Sequence, residues 1–307
     1  MNLKLYSSHP NTLRPLALAA LSLAALVPTA SFAQSTSEST TTSGTVITQA
    51  KPTAIAQPTT FNQGLLFPTY IFDAALADKV GKAGDIDYAT LRGDANLDTF
   101  IKAVATADVS RFPVLPVKDE KTGEVTQSRN PEMVFWINAY NAHVLKTISD
   151  AFPIDNTQAI KNFDTAKTHM VAGQMWSLAD LRKKIVDFDA RALFTLTDGS
   201  RGGPMMMPQA YRFRTINNDL NDAVARFIND PRNIEITRIQ NKVVLSDYFK
   251  TANDIFSKKQ DAKKMAGLRL LLASYSTNKG GFRGYLSNNP YQITFKPADK
   301  ALNGKMR

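Results

Sequence analysis

The sequence predicts an α+β fold, a single domain over residues 61–307 with helices packed around a small, mainly antiparallel sheet. Three observations predict it. Apolar residues recur at helical spacing in most long segments, the runs with strand character are few and short, and no repeat period runs along the chain.

From Pro68 to Val80, residues Ile71, Ala74, Ala75, Leu76 and Ala77 set out a short helix. Asp94 to Ala107 carries Leu97, Ile101 and Val104 at the spacing of a second. Between them, Gly84-Asp85-Ile86-Asp87-Tyr88 reads as a turn followed by a short extended piece. Phe112 to Gln127 holds two prolines and the turn-forming Asp119-Glu120-Lys121-Thr122-Gly123, so an exposed excursion is expected there. Ser177-Leu178-Ala179-Asp180 resembles a capping box with Asp180 in place of the usual Glu or Gln, and Leu178, Leu181, Ile185 and Phe188 continue it as an apolar stripe. Arg191 to Thr197 has the composition of a strand and leads into the loop Asp198-Gly199-Ser200-Arg201-Gly202-Gly203-Pro204. Ile216 to Ile228 carries Leu220, Val224, Phe227 and Ile228 as a helix. Ile234 to Leu245 reads as a hairpin turning near Gln240-Asn241, with Ser246 capping the helix that follows. Lys263 to Tyr275 is a last strong helix, and Tyr291 to Phe295 a closing strand.

The most informative segment is the helical run Phe135–Ile148. Trp136, Tyr140, His143 and Thr147 share one face and Val134, Asn138, Asn141 and Leu145 the other, so apolar groups surround the helix and bury it. Two enclosed carboxamides must then find partners, because each buried polar group left unsatisfied costs about 1–3 kcal/mol. A built polar contact is expected, either to a ligand or to a neighbouring loop.

Residues 1–33 have the organisation of a secretory signal, with Lys4 and Arg14 before an apolar centre from Pro15 to Val27, and with Ser31 and Ala33 as the small residues of a cleavage site. Export to the periplasm or beyond is the expectation, with no stable membrane anchor after cleavage. Residues 34–60 are Ser, Thr, Ala and Gln with few large apolar groups, the composition of a flexible tether. The chain has no cysteine, which excludes disulfides, thiolate nucleophiles, cysteine metal sites and lipoprotein acylation. Its formal charge of +10 becomes +8 without Lys4 and Arg14, favouring an anionic envelope ligand or partner by general attraction. The basic pairs Lys183-Lys184, Lys258-Lys259 and Lys263-Lys264 stand among acidic neighbours as solvated faces, so no nucleic acid is expected as partner.

The chain resembles the bacterial and plant domain-of-unknown-function family numbered 547. Gly84-Asp85-Ile86-Asp87-Tyr88 resembles its early Gly-x-Val-Asp-Tyr element, Phe135–Ala142 its aromatic–asparagine helix, and Ser177-Leu178-Ala179-Asp180 its Ser-Leu-x-Asp step. Arg191, Phe194 and Leu196 resemble its Arg-x-His-Phe-Ala-Leu strand, Gly199-Ser200 with Pro204 its Cys-Gly-x-x-Ser-Cys-Pro-Pro loop, and Leu245-Ser246 a late Leu-Ser signal. The chain departs from the family at Leu193, where the family tends to have His, and at Asp198 and Gly203, where it has Cys. Arg182 and Lys183 stand near the place of its Glu-His pair. The resemblance leaves open a distant relation to papain-like or transglutaminase-like hydrolases, whose cysteine–histidine chemistry is unavailable here.

Two functional readings follow. In the first, the scaffold binds a ligand or partner without covalent catalysis, through Asn138, Tyr140, Asn141 and Arg201, the arginine suiting an anionic group. In the second, Ser200, His143 and Asp198 form a cysteine-independent hydrolase, with glycine-rich backbone amides around an oxyanion. No cofactor and no metal site is expected, since Asp85 and Asp87 alone fall short of a calcium loop. Met205-Met206-Met207 could line an apolar groove or fill the core.

Overall fold

Helix α4 (Asn130–Ala151) is the axis of the first of two hydrophobic cores, and every residue from Pro131 to Leu145 is buried. The computed structural model describes residues 67–118, 123–257, 265–277 and 281–304, all within one unit, Pro58–Arg307. The expected leader 1–33 and tether 34–60 lie outside the described residues, as do Asp119–Thr122 and the basic pairs Lys258-Lys259 and Lys263-Lys264.

Around α4 pack α1 (Thr69–Leu76), α2 (Tyr88–Leu91), α3 (Ala95–Ala105) and α5 (Leu178–Phe188), contributing Phe72, Leu76, Leu91, Phe100, Leu181 and Ile185 to this core. The starts of α2, α3 and α5 are fixed by side-chain caps that satisfy otherwise orphaned amides. Asp87 accepts from Thr90 N at 3.1 Å, Asp94 from Leu97 N at 2.8 Å and Ser177 from Asp180 N at 3.0 Å. Asp87 thus acts as a cap and Tyr88 opens a helix, where an extended piece was expected.

The second core lies under a three-stranded sheet of β5 (Ile234–Thr237), β6 (Lys242–Ser246) and β7 (Gln292–Lys296). The β5–β6 hairpin is antiparallel and turns at Asn241, whose φ of 47° is the left-handed conformation asparagine tolerates. Strand β7 adds parallel to β6, with Val243 opposite Ile293. Helices α7 (Tyr248–Phe256), α8 (Ala266–Tyr275) and α9 (Phe282–Asn288) contribute Phe249, Leu268, Leu272 and Leu286 to it. Helix α6 (Ile216–Ile228) serves both cores, Ile216 and Leu220 facing the first and Val224, Phe227 and Ile228 the second. Two hairpins, β1 (Leu115–Lys118) with β2 (Val125–Ser128) and β3 (His169–Val171) with β4 (Gln174–Trp176), complete an α+β fold, the second of them burying Val171 in the first core. Its strands form three small pieces, antiparallel except for β6–β7. The first of these hairpins is the expected excursion, and it leaves Val117 and Val125 exposed.

Two further expectations differ. Arg191–Thr197 is not a strand, since Ala190–Thr195 is a 3₁₀ helix. Asp189 starts it by accepting from Arg191 N at 2.8 Å, and Thr195 Oγ1 donates back to Ala192 O at 2.7 Å. The β-branched and aromatic content reflects burial between the two cores, Ala192 and Leu196 in one, Leu193 and Phe194 in the other. Ser246 does not cap α7. It ends β6, fully buried, and the cap position belongs to Asp247.

Candidate functional site

The two carboxamides of α4 are spent on backbone. Asn141 Nδ2 donates to Thr195 O at 2.9 Å, and Asn141 Oδ1 accepts from Thr197 N at 3.0 Å. Asn138 Nδ2 donates to Tyr211 O at 3.0 Å and its Oδ1 accepts from Tyr211 N at 2.9 Å. Each side chain therefore supplies the donor and acceptor that a neighbouring strand would have given. Both are fully buried, with these backbone groups as the partners of their oxygens and nitrogens among the described residues.

Asn141 fixes the end of the 3₁₀ segment, and the 198–204 loop leaves from there. Asp198 and Ser200 are brought together, Asp198 Oδ1 accepting from Ser200 N at 2.9 Å and from the Ser200 hydroxyl at 2.7 Å. Glycine is required on both sides of this pair. Gly199 has a φ of +75° and lies against Ile148, Thr157 and Tyr88, while a Cβ on Gly203 would overlap the Asp198 carboxylate.

His143 is not brought to them. At about 100° per residue, Ile148 lies on the same side of α4 as Asn141, and His143 about 200° round from it. The face holding Ile148 packs on Gly199, whereas His143 lies against His169 with ring centroids 4.9 Å apart and planes inclined by 55°. His143 Nε2 has no hydrogen-bond partner among the described residues, and the helix itself stands between it and Ser200. Burial first, and His169 second, hold its pKa down to about 3, with a backbone hydrogen bond to Met170 opposing. The Ser200–His143–Asp198 arrangement expected for a hydrolase is thus not assembled, because two of its members lie on one side of α4 and the third on the other.

The loop instead meets Tyr140 across a cleft of about 280 Å³ at the seam of the two cores. Tyr140, Arg182, Leu193, Leu196 and Asp198 line one part of it, and Asp247, Tyr248, Thr251 and Lys300 the rest. Arg182 donates to Asp164 and, through Nη2 at 3.2 Å, to the Tyr140 oxygen, leaving the Tyr140 hydroxyl proton for the cleft. Tyr248 donates to Leu193 O at 3.2 Å and keeps its lone pairs. Burial raises the pKa of both phenols, opposed at Tyr140 by Arg182 and reinforced at Tyr248 by Asp198. Proximity to Tyr140 first, and then the hydrogen bond and charge of Asp164, raise the Arg182 pKa against the burial that would lower it, so the guanidinium stays charged beside a neutral phenol. Asp198 Oδ2 makes no hydrogen bond among the described residues, nor does the Lys300 ammonium. The cleft thus offers neutral phenols, a carboxylate and an ammonium, which can hold a small polar molecule by hydrogen bonds and charge.

Arg201 lies elsewhere, in a second cavity on the other side of the loop with Ser200, Met205 and Asp85. Of the three consecutive methionines, Met206 is core, Met207 packs partly buried against it, and Met205 lines that cavity. Among the described residues no three His, Asp or Glu side chains gather as a metal site. Arg182 is marked in the sequence only as a departure from the family's Glu-His pair, and Asp247, Tyr248 and Lys300 carry no sequence signal at all. They converge with Tyr140 only through long-range packing, and none carries a local motif.

No curated protein and no solved structure matches the chain. Residues 125–228, from β2 to the end of α6, match the family described as Protein of unknown function, DUF547, the family that the aromatic–asparagine helix and the loop after it resemble.

Proposed function

We propose that this is an exported envelope protein, periplasmic or secreted, that binds a small polar ligand without covalent chemistry in the cleft between α4 and the 198–204 loop. The observation that supports this reading is that Asp198, standing where the resembled family has its first loop cysteine, faces the cleft with Tyr140 and Lys300 but without His143. A carboxylate there recognises donors, and a hydrolytic cycle would lack its base. Family segment 125–228 supplies Tyr140, Arg182 and Asp198, and the chain beyond it supplies Asp247, Tyr248 and Lys300. A volume of about 280 Å³ suits a ligand at or below the small end of the usual range of about 300–1,000 Å³.

The test is a thermal-shift screen of the purified chain against short peptides, sugars, envelope polymers and ester substrates. A ligand raises the melting temperature of the wild type, and Asp198→Ala or Lys300→Gln abolishes the rise. Ester hydrolysis lost in Ser200→Ala would overturn the reading in favour of a hydrolase.

A further inference from the structure

The second cavity, about 510 Å³, is bounded by two short walls hung on the last described residues of the chain. On one side Ile86 N donates to Asn303 O at 3.0 Å and Ile86 bridges Gly304 in parallel, which holds Asp85. On the other, Ser200 bridges Leu302, Asn303 N donates to Gly199 O at 2.9 Å and Arg201 N to Ala301 O at 2.9 Å, which holds Arg201. Asn303 and Gly304 lie between them and also line the cavity. Both walls are thus positioned by backbone hydrogen bonds to one segment.

Asp85 and Arg201 are the unpaired charges of this cavity. Neither side chain makes a hydrogen bond or ion pair among the described residues, and they do not pair with each other although they share the space. Arg232, the other cation lining it, is already neutralised by Asp230, whose two oxygens take its Nε at 3.0 Å each. Ser200 gives its proton to Asp198 and keeps lone pairs to accept with. A dianion would meet Asp85, and a simple cation would meet Arg201. Only a ligand carrying both signs satisfies both walls.

We infer that this cavity binds the zwitterionic backbone of a free amino acid or short peptide, its carboxylate on Arg201 and its ammonium at Asp85. The guanidinium fork suits a carboxylate through two parallel hydrogen bonds, and the ammonium gains a charge-assisted bond to Asp85. The volume lies within the usual range of small-molecule sites, about 300–1,000 Å³. This site is separate from the cleft that holds Tyr140, and the two share no lining residue.

The experiment is calorimetric titration of the full chain with L-Ala-L-Ala, with its N-acetyl derivative and with its C-terminal amide. The dipeptide binds, and each cap weakens binding by about tenfold or more. Arg201→Gln weakens the dipeptide to the level of the amide and makes the two equivalent. Asp85→Asn does the same for the dipeptide and the N-acetyl form. Melting curves confirm that both variants fold. Absence of dipeptide binding at millimolar concentration, or equal binding of all three probes, would overturn the proposal.

Discussion

Asn138 holds both backbone polar groups of Tyr211, donating to its carbonyl at 3.0 Å and accepting from its N–H at 2.9 Å. One side chain on a buried helix thus stands in for a strand partner 73 residues away. Asn141 repeats the device three residues on, at Thr195 and Thr197.

Asn138→Ala and Asn141→Ala are expected to cost roughly 2–5 kcal/mol each, since each strands one buried donor and one buried acceptor. Urea unfolding measures it. A loss below about 1 kcal/mol would mean that water or a shifted backbone takes over those bonds.

Stability is expected to fall as pH drops below 6.5. The folded His143 pKa is held at about 3 against an ordinary 6.5, so between these values the unfolded chain binds a proton that the folded chain refuses. His169, lowered by its own burial, acts in the same direction. The slope reaches up to about 1.4 kcal/mol per pH unit for each histidine. Denaturant midpoints from pH 7 to 5 should show it, and His143→Phe should reduce the slope; a pH-independent midpoint would refute it.

Gly203→Ala should displace the Asp198 carboxylate, with a cost of about 1–3 kcal/mol. In the ligand screen it is expected to imitate Asp198→Ala. Gly199→Ala meets a positive φ as well as Ile148 and should be the more damaging, as parallel melts of the two variants would reveal.

Lys184 Nζ lies 4.7 Å from the centroid of Trp136 and 5.9 Å from those of Trp176 and Phe188. Lys184→Met keeps most of the stem and removes the charge, and should cost about 0.5–2 kcal/mol by chemical denaturation. An unchanged stability would mean that the rings hold the stem and that the ammonium contributes nothing.

Local pattern determined helices α1, α3, α4, α5, α6 and α8, the cap Ser177 and the turn near Asn241, because helical spacing, capping and left-handed backbone are local matters. The same locality explains why the enclosed asparagines announced a contact in advance: a buried amide demands partners whatever the fold. The partners themselves were decided by packing. Thr195 and Tyr211 lie 54 and 73 residues from their asparagines, and no local pattern encodes such distances. The apolar run after Arg191 was read as a strand because its composition records burial, and burial does not distinguish a ladder from a 3₁₀ turn wedged between two cores. The candidate site divides in the same way. Tyr140, Asp198, Ser200 and Arg201 were legible as residue types on a helix and a glycine-rich loop. Only the tertiary structure put His143 on the far side of α4, gathered Tyr248 and Lys300 opposite Tyr140, and left Asp85 and Arg201 facing one cavity without pairing. These relations depend on where whole elements come to rest, which is set by the sum of many weak contacts over the two cores and not by any short stretch of sequence.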